Sequence, residues 1–385
     1  MHHMSSQTAT SSGRDAVVSA RRIIVKVGTA LLTGNTTRVN QSFIKRLSAS
    51  VGDLWKQGRE TAIVTSGAIG AGCGVLGYKE RPKVLAEKQA CAAAGQVELM
   101  KYYSNAFAKQ KPQRAVGQLL LTRDTLTTRR RYLNARNTMM TLLGRGAVPI
   151  INENDTVSVE EIRFGDNDNL SALVAGIAEA DLLVILTDVD GLMDSNPRTN
   201  PNAKLIPTVA SMTPEIEAMA TPLGSAFGTG GMVSKLQSAR IAMASGFGLV
   251  LVAGHDPEIL LDVVAGKEVG TYFVPRSERI GARKHWLAFT ALPKGAIVVD
   301  AGARNALIGG GKSLLPSGIT DVLGKFNALD LVSLTCDGRE FARGVSNFSS
   351  TDTHAVRGKK TADLKAILGA DASKEVMHRD NLVIF

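Results

Sequence analysis

From residue 22 to about residue 270, short runs rich in Val, Ile and Leu alternate with longer amphipathic stretches. The runs RIIVKVG (22–28), ETAIVT (60–65), RAVGQLLLT (114–122), AVPIIN (147–152), ADLLVILTD (180–188) and GLVLVAG (248–254) predict strands. The stretches that end near Gly58, Gln110 and Gly146 predict helices. Apolar strands separated by helices imply a parallel sheet covered on both faces. The expected fold class is therefore α/β, a three-layer α/β/α sandwich, followed by a small, mainly β domain. The alternation breaks between Pro275 and Pro293, and the later segments shorten. There AIVVD (296–300), LVSLTCDG (331–338) and EFARGVSN (340–347) predict strands between turns, and KTADLKAILG (360–369) predicts one helix. The expected division is a disordered polar segment over 1–20, the large domain over 21–275, a linker over 276–292 and the small domain over 293–385.

Composition narrows this picture. The chain has 385 residues, 44% of them hydrophobic, enough for real cores. No apolar run approaches the roughly 20 residues of a membrane span, and the N-terminus lacks the apolar centre of a secretory signal. A soluble, cytoplasmic protein without a membrane partner is expected. Cys73, Cys91 and Cys336 form no CxxC pair and leave one unmatched, which argues against a disulfide framework or a zinc site. The net charge of +10 fits a phosphorylated ligand, a nucleic acid or a basic solvated surface. From residue 290 onward there are 12 Lys and Arg against 10 Asp and Glu. So small an excess gives little electrostatic drive toward nucleic acid in the second domain.

The stretch TSGAIGAGCGVLGY (65–78) contains the spelling GxGxxG at Gly72, Gly74 and Gly77. A dinucleotide fingerprint needs its first glycine at the strand end and an acidic residue about 20 positions later. Here the strand ends seven residues before Gly72, and AEKQACAAAGQVEL reads as helix. The residues at the strand end are Ser66 and Gly67, whose hydroxyl and unhindered N–H groups suit an anion. Lys26 stands inside the first apolar strand, where desolvation is costly without an accompanying anion such as phosphate. GTGGMVSK (228–235) is a glycine-rich turn entering a helix, with Lys235 one turn in, a cradle for polyphosphate. The near-Walker spelling ALIGGGKS (306–313) lacks the first glycine, and a loop is expected there. INENDTV and GDNDN concentrate Asn152, Glu153, Asn154, Asp155, Asp166, Asn167, Asp168 and Asn169 near strand ends and a helix start. Caps and turns explain some of these; the rest suit an amino acid's ammonium group, a lysine or Mg²⁺. Thr187 and Asp188 end another strand, as a nucleotide contact or as the start of a tight turn.

Taken in order, VKVGTALLTG, IVTSGAIGAG, GQLLLTRD, LNARNTM, VPIINENDTV, GDNDNLSALVA, LLTDVDGL and GTGGMVSKLQSAR resemble the amino acid kinase family, and the second domain resembles the PUA domain. The resemblance implies ATP and Mg²⁺ as cosubstrate and metal, and L-glutamate as acceptor, phosphorylated on its side-chain carboxylate at the start of proline biosynthesis. It implies Lys26 and Lys235 as phosphate-binding catalytic lysines, with Asp168 organising them. Ser66, Asp155 and Asn167 would bind glutamate, with Gly67, Asn152 and Asp166 nearby. Thr187, Asp188, Thr229, Gly230, Gly231, Met232, Val233, Ser234 and Lys235 would bind ATP, Lys26 contacting its phosphates. L-proline as feedback inhibitor and a homo-oligomer formed through the kinase domain follow from the same likeness. Met193 departs from it, since similar enzymes often carry Tyr there. The rival readings are a kinase of this fold acting on acetylglutamate or aspartate, and RNA binding through the PUA-like domain.

Overall fold

The computed structural model describes residues 14–34, 36–158, 167–197, 199–219, 231–369 and 373–384. Two compact units divide the chain. The first runs to Thr125 and resumes over Arg130–Arg279; the second joins Leu126–Arg129 to Ile280–Phe385.

The first unit is built on one sheet of β1 (Arg22–Val27), β2 (Glu60–Val64), β3 (Val116–Leu121), β4 (Val148–Glu153), β5 (Leu182–Thr187), β6 (Thr208–Val209), β7 (Gly248–Ala253) and β8 (Thr271–Phe273), in the order β3-β4-β2-β1-β5-β7-β8-β6. The six strands anticipated from apolar runs all pair in parallel. The sheet as a whole is mixed, because β8 runs antiparallel to β7 and carries β6 beside it.

Alternation along β1 assigns its side chains to layers. Ile23, Val25 and Val27 enter a core with Phe43, Ile44, Leu47, Val51 and Leu54 of helix Gln41–Lys56 and with Leu99, Tyr103 and Phe107 of helix Leu85–Ala108. The first of these helices is started by the Asn40 side chain, which accepts from Phe43 N at 3.0 Å. Ile24 and Lys26 face the other layer, which contains helices Asn167–Ile177 and Met232–Ser245.

Two glycines fix how helix Ala68–Val75 meets helix Leu85–Ala108. A Cβ at Gly95 would overlap the Ala68 carbonyl oxygen, and one at Gly72 would overlap the Cys91 carbonyl oxygen. The helices therefore cross backbone against backbone, which only glycine permits. The glycine spelling that resembles a dinucleotide loop is in part a packing device.

Part of the segment expected to be disordered is structured. Residues 14–20 are folded: Asp15–Val18 is a short helix, Val17 and Ala20 are buried, and the Arg14 guanidinium donates to Lys267 O at 2.6 Å and Val269 O at 3.0 Å. The remainder of the expected disordered segment lies outside the described residues.

The second unit holds a sheet of β9 (Gly295–Val299), β10 (Ile319–Gly324), β11 (Leu331–Cys336), β12 (Arg339–Val345) and β13 (Leu382–Ile384), ordered β10-β9-β11-β12-β13. The segment read as ALIGGGKS is not simply a loop. Its first half closes helix Ala301–Gly310, because Asp300 caps Ala303 N at 2.6 Å and Gly311 ends the helix at φ +53°. The expected linker is likewise structured. Helix Ala282–His285 passes into a wider turn, Trp286–Thr290, closed by Ala291 N on Trp286 O at 2.8 Å, and Leu287 and Ala288 pack with Leu331 and Val383.

Candidate active site

The parallel strands β1, β2, β4 and β5 end on one edge of the sheet, where open α/β sheets bind ligands. At that edge Lys26 is buried, on the face toward helix Asn167–Ile177. Its ammonium pairs with Asp168 Oδ1. Asp168 is fully buried in the first turn of that helix, and its other oxygen, Oδ2, lies 3.0 Å from Lys235 Nζ. Ser234 Oγ stands 3.1 Å from the same oxygen and 2.9 Å from Gly231 O. A carboxylate so far from water persists only when paired, and here it fixes two lysines from different elements at one point.

A second cluster adjoins the first through the sequence neighbours Asn167 and Asp168. Asn167 Nδ2 lies 2.8 Å from Thr65 O, 2.8 Å from Ser66 Oγ and 2.9 Å from Asn152 Oδ1. Asn152 Oδ1 also accepts from Glu153 N at 2.9 Å, while Asn152 Nδ2, although buried, meets no acceptor among the described residues. Buried polar groups are ordinarily paired, so such a donor suits an incoming oxygen. Gly67 starts helix Ala68–Val75 in the left-handed region at φ +89°, with no side-chain cap. A side chain is strained in that conformation, and a Cβ there would also press on Leu32 Cβ at 3.3 Å. Asp155 is half-buried in the turn that follows β4.

On the other side of β1, Thr187 is buried at the end of β5 and donates to the exposed Asp188 at 3.1 Å. Gly231 is the extended cap of helix Met232–Ser245, with Val233 exposed and Ser234 and Lys235 buried. Asp166, Thr229 and Gly230 lie outside the described residues.

The sequence pattern of the amino acid kinase family matches residues 21–253, and that of the PUA domain matches residues 295–368. The chain belongs to the amino acid kinase family. Curated relatives extend the similarity over almost all of it. A glutamate 5-kinase of Geobacter sp. (strain M21) is 47% identical over 96% of this chain and 99% of its own length. Those of Geobacter metallireducens and Myxococcus xanthus are 49% and 45% identical, over 94% and 98% of this chain and 97% and 100% of their own lengths.

In this amino acid kinase the structure adds residues that the sequence reading passed over. Thr65 offers its carbonyl to Asn167. Glu153, already singled out in INENDTV but given no role of its own there, is buried at the end of β4 and accepts from Ser158 Oγ at 3.1 Å. Gln96 is buried, accepts from Gln118 at 2.9 Å, and has an Nε2 without a partner among the described residues. A signal for Gln96 existed: it falls in phase with the buried positions Ala92, Gly95, Leu99 and Tyr103 of its helix, an amide where packing alone asks for a hydrocarbon.

Proposed function

We propose that the chain transfers the γ-phosphoryl group of ATP to the side-chain carboxylate of L-glutamate, giving L-glutamate 5-phosphate and ADP, the first step of proline biosynthesis. The observation that carries the chemistry is buried Asp168 holding Lys26 and Lys235 together at the carboxyl edge of the sheet. Near full-length similarity to glutamate 5-kinases supports glutamate over acetylglutamate or aspartate as the acceptor.

The nucleophile is a carboxylate, already ionised at neutral pH, so no general base is needed. The reaction instead requires two anions placed in line and charge stabilisation on the group in transit. Lys26 and Lys235 neutralise charge gathering on the phosphoryl oxygens, and Asp168 fixes where their ammonium groups stand. Ser66, Gly67, Asn152 and Asn167 take the amino acid, with the Asn152 amide as a donor to carboxylate oxygen and Asp155 as the partner of the ammonium group. Thr187, Asp188, Gly231, Met232, Val233 and Ser234 take the nucleotide. Asp166, Thr229 and Gly230 keep the parts the resemblance gives them.

Mg²⁺ fits this reading as an ion carried on phosphate oxygens. The described residues gather no group of three metal-ligating side chains, and both Asp168 oxygens face lysines. Mg²⁺ is commonly held by phosphates, water and one or two carboxylates, and would supply charge neutralisation on the nucleotide. The same reading includes competition by L-proline at the glutamate site, a homo-oligomer and a cytoplasmic location; no helix among the described residues is long and apolar enough to cross a membrane.

The test is an ATP-dependent hydroxamate assay that traps acyl phosphate, run with glutamate, acetylglutamate and aspartate, each with and without proline. Signal from glutamate alone, reduced by proline, is expected. Signal only from another carboxylate would overturn the substrate, and no signal from any would overturn the reaction.

A further inference from the structure

Behind the Ser66–Gly67 turn lies a short chain of buried hydroxyl groups. Tyr103, on helix Leu85–Ala108, is fully buried, and its hydroxyl lies 3.0 Å from Thr65 Oγ1. Thr65 Oγ1 in turn lies 3.3 Å from Ser66 O, which it serves as donor. A threonine hydroxyl has one proton, so with that proton on Ser66 O the Tyr103 hydroxyl must be the donor to Thr65. Burial holds the Tyr103 phenol well above its usual pKa, which keeps that proton in place.

The consequence lies in the next peptide group. In a trans peptide the C=O and N–H bonds point in opposite directions. Holding Ser66 O on Thr65 therefore turns the Gly67 N–H the opposite way, and this N–H has no acceptor among the described residues. Gly67, at φ +89°, has no Cβ to fix that plane sterically. The anchoring helix cannot drift, because Gly95 and Gly72 press it backbone to backbone against helix Ala68–Val75.

We propose that Tyr103 is a positioning residue for the reaction: through Thr65 it sets the direction in which the Gly67 N–H is presented to the acceptor carboxylate. The proposal rests on the reading of this turn as part of the glutamate site. A tyrosine at a buried phase of an amphipathic helix would otherwise be only core.

Tyr103→Phe keeps the ring and removes the link. The full-length variant should show a KM for glutamate raised roughly three- to tenfold, the scale of one neutral hydrogen bond. Its KM for ATP should be unchanged and its kcat within about twofold, the mark of lost uniform binding. Thr65→Val should raise the glutamate KM similarly, and Tyr103→Phe combined with Thr65→Val should raise it no further than the worse single variant, as for two members of one chain. Thermal unfolding measured alongside separates the structural effect: a lower Tm with unchanged glutamate KM would overturn the proposal, as would additive effects in the double variant. If Tyr103→Phe fails to fold, Thr65→Val and Thr65→Ser decide, with Ser expected to restore the wild-type KM and equal KM values for the two counting against it. Wild-type enzyme inactive on glutamate would refute the function itself, an outcome distinct from an active enzyme indifferent to Tyr103.

Discussion

Asp168 joins two lysines that lie more than two hundred positions apart in the sequence, and each is expected to be worth a full preorganised charge. Lys26→Met and Lys235→Met should each lower kcat by about 10²–10³ or more while the protein stays folded, as judged by circular dichroism beside the hydroxamate assay. Asp155→Ala should act differently. A group that orients the amino acid contributes largely uniform binding, so KM for glutamate should rise with kcat little changed. A collapsed kcat with unaltered KM would move Asp155 among the catalytic groups. Lys26 stood out because a lysine within an apolar parallel strand is costly to desolvate without an anion beside it, whereas Asp168 was one of eight Asn, Asp and Glu residues and was set apart only by the family resemblance. Thr65 and Tyr103 were not legible: one looks like the last residue of a strand, the other like core, and only the folded distance between their hydroxyl groups shows the link.

Among the elements, the tightest constraint is the crossing of helices Ala68–Val75 and Leu85–Ala108. Gly95→Ala would set a methyl group against the Ala68 carbonyl, a backbone atom that cannot rotate aside. The urea midpoint should fall by the equivalent of about 3 kcal/mol, the upper end of overpacking costs. Gly144→Ala, at the end of helix Arg129–Gly144 with open space around the new methyl, should be neutral or stabilising by up to about 1 kcal/mol. The strands β1 to β5 and β7 could be read from apolar runs because each is long enough to show its pattern. The two- and three-residue strands β6 and β8 show no periodicity, so the antiparallel edge they form was invisible. Glycines hid helix Ala301–Gly310 in the same way, since its start depends on the Asp300 cap and its end on the left-handed Gly311.

At the scale of the molecule, the second unit carries a pH dependence of its own. His285 is fully buried beside Phe289, neither ring nitrogen has a partner among the described residues, and burial lowers its pKa to about 3. The unfolded chain takes up this proton near pH 6.5, whereas the folded chain does not until about pH 3. Stability from this group is thus fully present above pH 6.5 and is lost as pH falls toward 3, by up to about 1.4 kcal/mol per pH unit. Urea midpoints at pH 7.5 and 5.0 should show the loss, and His285→Leu should flatten it.

The strand order has a last consequence. The sheet reverses at β1, with β2, β4 and β3 on one side and β5 and β7 on the other. The proposed amino acid groups come mainly from the first side and the nucleotide groups from the second, with Lys26 and Asp168 between them. A bound ligand therefore acts as a clasp between stretches of chain that are remote in sequence. Each substrate at about one hundred times its Kd should add roughly 2.7 kcal/mol to stability. In hydrogen exchange, a non-hydrolysable ATP analogue should slow amides of β2 as well as β5, although it touches only one flank of the strand they share; slowing confined to β5 would show that the two flanks open independently.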